Sequence, residues 1–244
     1  MIQGVFEKLR MYGPRRFAYF MLIGAKRLLW DRALLGSFSQ EGEDRLIDAL
    51  LGHPPTGWYV DVGANHPRRF SNTHRFYRRG WHGINIEPNV TLHQRFVVER
   101  PGDININCGI GETAGELRFF SFFPDTLSTF SREKAQEYCK QGFRLVSEVQ
   151  VAVKPLREVL ELHCRSGQID FLSVDTEGLD LEVLRSNDWT RFRPRVICVE
   201  SALCLCGAGQ SDAKSGEVQT FLASLGYSLA CATAVNDIYR CTKV

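Results

Sequence analysis

The sequence predicts an α/β fold: a mostly parallel, seven-stranded sheet with helices on both faces and a C-terminal antiparallel hairpin. Three observations predict it. Short, near-continuous apolar runs alternate with stretches of helical periodicity, the pattern of parallel strands buried on both faces. Polar and small residues follow the carboxyl ends of those runs, the rim where open α/β sheets take their ligands. The last two apolar runs are joined by Asn236-Asp237, a hairpin signal. With 244 residues, 44% hydrophobic and 24% charged, the chain can build its own core. Its composition excludes disordered, collagenous and low-complexity classes.

Residues 1–36 stand apart. They carry Lys8, Arg10, Arg15, Arg16, Lys26, Arg27 and Arg32 against Glu7 and Asp31, a net of +5, whereas residues 37–244 carry a net of −3. Apolar clusters run from Phe17 to Ile23 and from Leu28 to Leu35. The segment reads as a basic, amphipathic helical extension. It is suited to lie on an anionic membrane surface or to pack on the domain or on a second copy in a homodimer. No apolar run reaches the ~20 residues of a membrane span, and no signal peptide is evident. The expected location is the cytoplasm, with peripheral contact on the inner face of the membrane. The eight cysteines, Cys204-Leu205-Cys206 being their only close pair, read as reduced thiols.

From Ser37 onward a single domain is expected. Ser39 reads as the cap of a helix that Gly52-His53-Pro54-Pro55 ends. Trp58 to Gly63 is a strand. Ser71 caps a helix that Gly80 stops. Gly83 to Glu87 is a strand, Leu92 to Glu99 a helix and Ile104 to Cys108 a strand. Residues 109–153 break the alternation and read as an insertion or lid. It holds strands at Glu116 to Phe120 and Glu148 to Val153, an aromatic Ser/Thr-rich centre and a helix near Arg132 to Lys140. Pro155 to His163 is a helix, Ile169 to Asp175 a strand, Leu181 to Arg185 a helix and Val196 to Glu200 a strand. Glu217 to Leu225 is a helix, and Tyr227 to Ala234 and Ile238 to Cys241 form the hairpin.

The strand ends carry the chemistry. Asp61, Gly63, Ala64 and Asn65 follow the first strand and Glu87 the second; Asn107 and Cys108 follow the third. A glycine that lets backbone approach a ligand, then an acid at the next strand end for a ribose diol, is the logic of an adenosine site. The three-glycine dinucleotide fingerprint is missing, and Pro67 and Arg68 intervene before any helix. Adenosine without a diphosphate therefore fits better, which points to S-adenosylmethionine. Asp175 and Glu177 flank Thr176 after the fourth strand. Asp175 is placed to hold the methionine ammonium, bind a metal or accept a hydroxyl proton; Glu177 shares that role or caps the next helix. Asp175 and Glu200 end neighbouring strands, a spacing that permits Mg²⁺ without demanding it.

Residues 66–82 hold five arginines, three histidines and no acid. They read as a solvated face or as the binding surface for an anionic acceptor, such as a nucleotide- or lipid-pyrophosphate-linked sugar. His82 reads as a structural histidine, and the run Phe119, Phe120, Phe122, Phe123 and Phe130 as core. Asp125, Ser128 and Thr129 are candidate acceptor contacts. No nucleic-acid partner is expected, because neither global charge nor interleaved stacking aromatics call for one.

Four motifs in order resemble the FkbM-type family of S-adenosylmethionine-dependent methyltransferases. They are Val60 to Asn65, Ser71-Asn72-Thr73, Gly80 to Pro88 and Ile169 to Gly178. The resemblance covers about Ser39 to Glu200. It implies a Rossmann-like methyltransferase fold and O-methylation of a hydroxyl on a sugar, glycan or related metabolite. It places Asp61, Gly63 and Asn65 in the cofactor loop, with Ala64, Ser71 and Asn72 beside them, Glu87 on the ribose, and Asp175 as the fourth-strand acid. His66-Pro67 departs from the family pattern. A dinucleotide-dependent nucleotide-sugar enzyme and a non-catalytic methyltransferase-like binding protein are the alternatives.

Overall fold

The computed structural model describes residues 36–164, 166–200 and 211–242. The basic extension read over residues 1–36 lies, Gly36 apart, outside them. Five strands form the parallel part of one sheet: β1 (Trp58–Val62), β2 (His82–Ile86), β3 (Ile104–Ile106), β7 (Phe171–Val174) and β8 (Val196–Glu200). Two more complete it, β9 (Tyr227–Ala232) and β10 (Asn236–Cys241), in the spatial order β3-β2-β1-β7-β8-β10-β9. β10 is antiparallel to both of its neighbours. The chain winds outward from β1 to β3, then returns to β7 on the other side of β1. The order therefore reverses between β1 and β7, and a crevice opens beyond their carboxyl ends.

Alternation along each strand supplies two cores. In β1, Val60 and Val62 join Ile84, Leu172 and Val199 on one face, under α5 (Leu156–His163), α6 (Asp180–Arg185) and α7 (Ser211–Ser224). Tyr59, with Phe171, Val196 and Ile238, faces Ile47 and Leu51 of α1 (Glu43–Leu51) and Phe76 of α2 (His74–Tyr77). Asp61 shares the Tyr59 side, so its carboxylate is carried toward α2 rather than toward the larger core.

Several local expectations are corrected by hydrogen bonds that sequence spacing does not display. Ser39 is not at the N-cap position of α1, which Gly42 takes at φ 93°, but its hydroxyl still accepts the first-turn Asp44 amide, while the Asp44 carboxylate accepts from Ser37 Oγ and the Phe38 amide. The helix expected from Ser71 shrinks to the single turn of α2, with the Ser71 hydroxyl accepting the His74 amide. α3 (Val90–Glu99) starts earlier than expected because Asn89 caps it, its Oδ1 accepting from the amides of Thr91 and Leu92. The hairpin turns at residues 233–235, not at Asn236-Asp237. The Thr233 hydroxyl accepts the backbone N–H groups of Val235 and Asn236, and the buried Asn236 side chain donates through Nδ2 to Glu43.

Between β3 and α5 the chain builds a second, three-stranded sheet in the order β4-β6-β5, from β4 (Gly109–Ile110), β5 (Gly115–Phe123) and β6 (Arg144–Lys154). Between β5 and β6 lie a 3₁₀ turn (Asp125–Leu127) and α4 (Arg132–Lys140), capped by Ser131. Phe120, Phe122, Ala135 and Tyr138 give this unit its own small core. It stands over the carboxyl ends of the main sheet and forms one wall of the crevice. The six cysteines among the described residues are free thiols. No described helix is long and apolar enough to cross a membrane.

Candidate functional site

The crevice is a cleft of about 720 Å³ over the β1–β7 switch point, walled by the main-sheet rim on one side and by β5, the 3₁₀ turn and α4 on the other. Asp61, Gly63, Ala64, Asn65, Ser71, Asn72, Glu87, Cys108 and Asp175 all line it. So do Asp125, Ser128, Thr129, Glu177 and Glu200. Asn107 does not. It is exposed at the end of β3, and its amide donates to the carbonyls of Glu87 and Pro88 at 2.8 and 3.0 Å. It fixes the end of β2 rather than facing a cofactor.

Glu87 is the anchor of the β2 end. It is 4% exposed, and its two oxygens each accept one backbone N–H at 2.7 Å, from Asn65 and Asn89. Burial pushes its pKa up to about 8, against the pull of those two donors. Each carboxylate oxygen keeps a second lone pair for a ligand. The Asn65 bond also explains the loop after β1: Asn65 sits at φ 51°, a left-handed conformation that asparagine tolerates better than most residues, with its amide turned onto Glu87. Its side-chain Oδ1 is buried and has no partner among the described residues.

Gly63 is needed for a reason the sequence did not display. At φ 76° a Cβ would fall 1.8 Å from the Asp175 carbonyl oxygen. The close approach is of β1's end to β7's end, and the ligand is not the cause. Behind the loop lies Arg100, fully buried and unforeseen from sequence. Its guanidinium donates to Thr73 Oγ1 and Ser71 Oγ at 2.8 Å, to Asn85 Oδ1 at 3.2 Å and to the Pro67 carbonyl. Thr73 in turn donates to Asp61 Oδ2 at 2.6 Å. Asp61 and Ser71 are therefore bound into a structural network. Burial raises the Asp61 pKa. The Asn72 amide donates to Ser173 Oγ at 3.1 Å. Cys108 is buried, which pushes its thiol up to about 11 and leaves it inert.

At the ends of β7 and β8 the structure gathers Asp175, Glu177 and Glu200, with one carboxylate oxygen of each lying within 4.8 Å of the others. At an effective dielectric of about 20, two charges at that spacing repel by about 3 kcal/mol. Asp175 is open to the cleft and Glu200 half-buried; the surrounding protein and the neighbouring acids hold both pKa values well above the usual carboxylate range. The spacing admits a divalent cation. Glu177 does not cap α6, whose first turn has no side-chain cap; the Asp180 carboxylate accepts the Thr176 amide and hydroxyl at 2.9 and 3.0 Å and so fixes the turn before the helix. Glu177 instead points toward the insertion. Lys134 Nζ and Tyr138 Oη of α4 each lie 3.1 Å from its Oε2, and Thr129 Oγ1 donates to its carbonyl at 3.2 Å. Burial works against the Lys134 charge, yet Glu177 and Glu200 beside it hold its pKa above the ordinary value.

The hydroxyls of Ser128 and Thr129 are thus largely committed to structure, Ser128 accepting the Phe122 amide at 3.1 Å. Asp125 is bridged across the cleft to Arg69, whose Nη2 lies 3.1 Å from both carboxylate oxygens. The rest of the basic run is also engaged. Arg75 and Arg79 converge on buried Asp48, Arg68 pairs with Glu99, and Arg78 lies over the Phe38 ring. His82 is exposed and bonded through Nδ1 to the Gly102 carbonyl.

Fold and site together define the class: a Rossmann-like methyltransferase fold with a carboxylate-lined cleft at its switch point. The chain belongs to the FkbM methyltransferase family, whose sequence model, described as "Methyltransferase FkbM domain", matches residues 61–229. The crystal structure of methyltransferase FkbM from Methylobacillus flagellatus KT is similar, with a TM-score of 0.48 and 14% identity. That likeness covers 76% of this chain and 44% of the other, so this chain spans less than half of that protein's length. No curated protein matches.

Proposed function

We propose that the protein is an S-adenosylmethionine-dependent O-methyltransferase acting on a hydroxyl of a sugar, glycan or related metabolite. The observation that carries this reading is the pairing of two unlike carboxylate sites in one cleft: buried Glu87 at the β2 end, and the Asp175, Glu177 and Glu200 group beyond β7 and β8. Three features support the cofactor. Glu87 keeps free lone pairs for a ribose diol, and Asn65 Oδ1 is a buried acceptor without a partner. The cleft volume of about 720 Å³ suits a small-molecule site. A dinucleotide finds less support, because α2 begins only at His74 and is a single turn, so no helix N-terminus follows Gly63 to hold a pyrophosphate.

When bound, S-adenosylmethionine supplies a methyl group on a cationic sulfur. The chain's part is to hold the acceptor hydroxyl in line and to take its proton. Asp175 is the proposed proton acceptor. Its carboxylate receives no hydrogen bond from a described residue, whereas Glu177 is held by Lys134 and Tyr138. Its raised pKa makes it a stronger base than an ordinary carboxylate. Residues 1–36, in this reading, bring the domain to an anionic membrane surface.

Calorimetry with S-adenosylhomocysteine and with NAD tests the reading: the first binds and the second does not. Asp175→Asn then lowers methyl transfer by roughly 100-fold, the scale of general base catalysis. Activity within a few-fold of the unsubstituted enzyme rejects the assigned base, and activity that survives excess EDTA rejects a metal at the carboxylates.

A further inference from the structure

We propose that His66 is a positioning residue for the cleft: its neutral imidazole holds the turn that carries Arg69 across the cleft to Asp125, and protonation of the ring releases that latch. The inference rests on the methyltransferase reading and adds a pH-dependent closure to the same site.

The first ground is the way the loop after β1 is built. The Asn65 amide is held by Glu87, and the Pro67 carbonyl accepts from Arg100 Nε at 3.0 Å. Between those two fixed points His66 turns its ring onto its own chain. Its Nδ1 accepts the backbone N–H groups of Arg68 and Arg69 at 3.1 and 3.2 Å. Pro67 has no N–H, so the donors are the two residues after it. An asparagine or aspartate at the head of a turn does the same work with a side-chain oxygen. Nδ1 accepts only when it carries no proton, so the ring is the Nε2–H tautomer.

The second ground is what the turn carries. His66 does not line the cleft, but Arg69 and Asp125 do. Arg69 Nη2 lies 3.1 Å from both Asp125 oxygens. The insertion is thus joined to the main sheet on two sides. Glu177 ties α4 to the β7 end through Lys134 and Tyr138, and Arg69 ties the 3₁₀ turn to the β1 loop.

Protonation acts on the Arg69 tie twice. A proton on Nδ1 turns the acceptor into a donor facing two N–H groups, which opens the turn. The new charge also repels the Arg69 guanidinium. The charged groups facing the ring are Arg69 on its own loop, Arg95 and Glu99 of α3, and Asp125 of the 3₁₀ turn. Burial, then the two arginines, outweigh the two acids and hold the His66 pKa below its ordinary 6.5. The latched form therefore binds fewer protons at His66 than the released one. Latching is favoured most fully above that ordinary value and is lost as pH falls through the lowered one.

The test uses the full chain and follows release of S-adenosylhomocysteine from pH 8 to 5.5. His66→Asn keeps an acceptor for the two N–H groups but does not titrate. The ratio of release rates, unsubstituted protein over His66→Asn, is expected to rise about threefold or more as pH falls across that range. Protonation of Glu87 is common to both forms and cancels in the ratio. Asp125→Asn in both backgrounds flattens the rise, because no latch is left to release. Nitrogen chemical shifts of the ring at pH 8 show its proton on Nε2. A flat ratio, a rise that survives Asp125→Asn, or a ring proton on Nδ1 overturns the latch and leaves the methyltransferase reading standing. No binding of S-adenosylhomocysteine by any form at pH 8 overturns that reading and the inference with it.

Discussion

At Glu87 two demands compete. Two backbone N–H groups favour its ionised form, while burial favours the neutral one, and burial prevails to set a pKa of about 8. The ionised carboxylate is the better acceptor for a ribose diol. Affinity for S-adenosylhomocysteine is therefore expected to rise with pH toward a plateau just above 8, by at most tenfold per unit. Glu87→Gln flattens that rise. Glu87→Ala weakens binding by about 2–3 kcal/mol, the scale of charge-assisted hydrogen bonds. Calorimetry from pH 6 to 9 checks both, and a pH-independent affinity in the unsubstituted protein rejects the ribose role. The same shift has a sign for stability. A carboxyl whose folded pKa lies above its ordinary 4.5 favours the folded state most fully at low pH, and that contribution is lost as pH rises through about 8. The motif around Glu87 was legible in the sequence because its parts are local. Lys134, Tyr138 and Arg100 were not. Their partners lie 43, 39 and 27 residues away in the chain, and no spacing rule links an α4 lysine to a strand-end glutamate.

Among the elements, the contact between β1 and β7 and the reach of the insertion decide the site. Asp175 donates its amide to the Val62 carbonyl at 3.0 Å, which draws the two strand ends together over Gly63. Gly63→Ala must part them, since its Cβ would meet backbone and not a movable side chain. The expected cost is about 3 kcal/mol or more, comparable to severe overpacking, read as a lowered urea midpoint with unchanged slope. Stability within 1 kcal/mol would show that the ends can separate freely. From the other wall, α4 sends Lys134 into the carboxylate group. Lys134→Met removes the countercharge from Glu177 and leaves three acids to share protons. The pH optimum of methyl transfer is expected to move upward by about one unit, and Lys134→Arg to restore it. An unmoved profile would assign Lys134 to packing alone. The strands of the main sheet were legible from apolar runs; their spatial order was not, because pairing joins runs far apart in the chain. Nor was the turn at residues 233–235, because Thr233 capped it and the buried Asn236 side chain was drawn to Glu43, far off in the sequence.

For the whole molecule, charge is divided unevenly along the chain. The cleft gathers acids, residues 37–244 carry a net of −3, and residues 1–36 carry +5 among apolar clusters. Basic groups near an anionic surface contribute on the order of 1 kcal/mol each, and inserted apolar side chains add to that. Full-length protein is therefore expected to pellet with vesicles rich in anionic lipid at low salt and to release as salt rises through the physiological range, where charges more than ~8 Å apart are screened. The site residues all lie beyond Ser37, so a chain lacking residues 1–36 should bind S-adenosylhomocysteine as before and stay in the supernatant. Packing of the segment on the domain predicts otherwise: its removal exposes apolar surface, and the truncated chain aggregates. Co-sedimentation of both forms at low and high salt separates the two. A soluble, active truncation beside a full-length protein that never pellets with anionic vesicles would reject the membrane role and the packing role together.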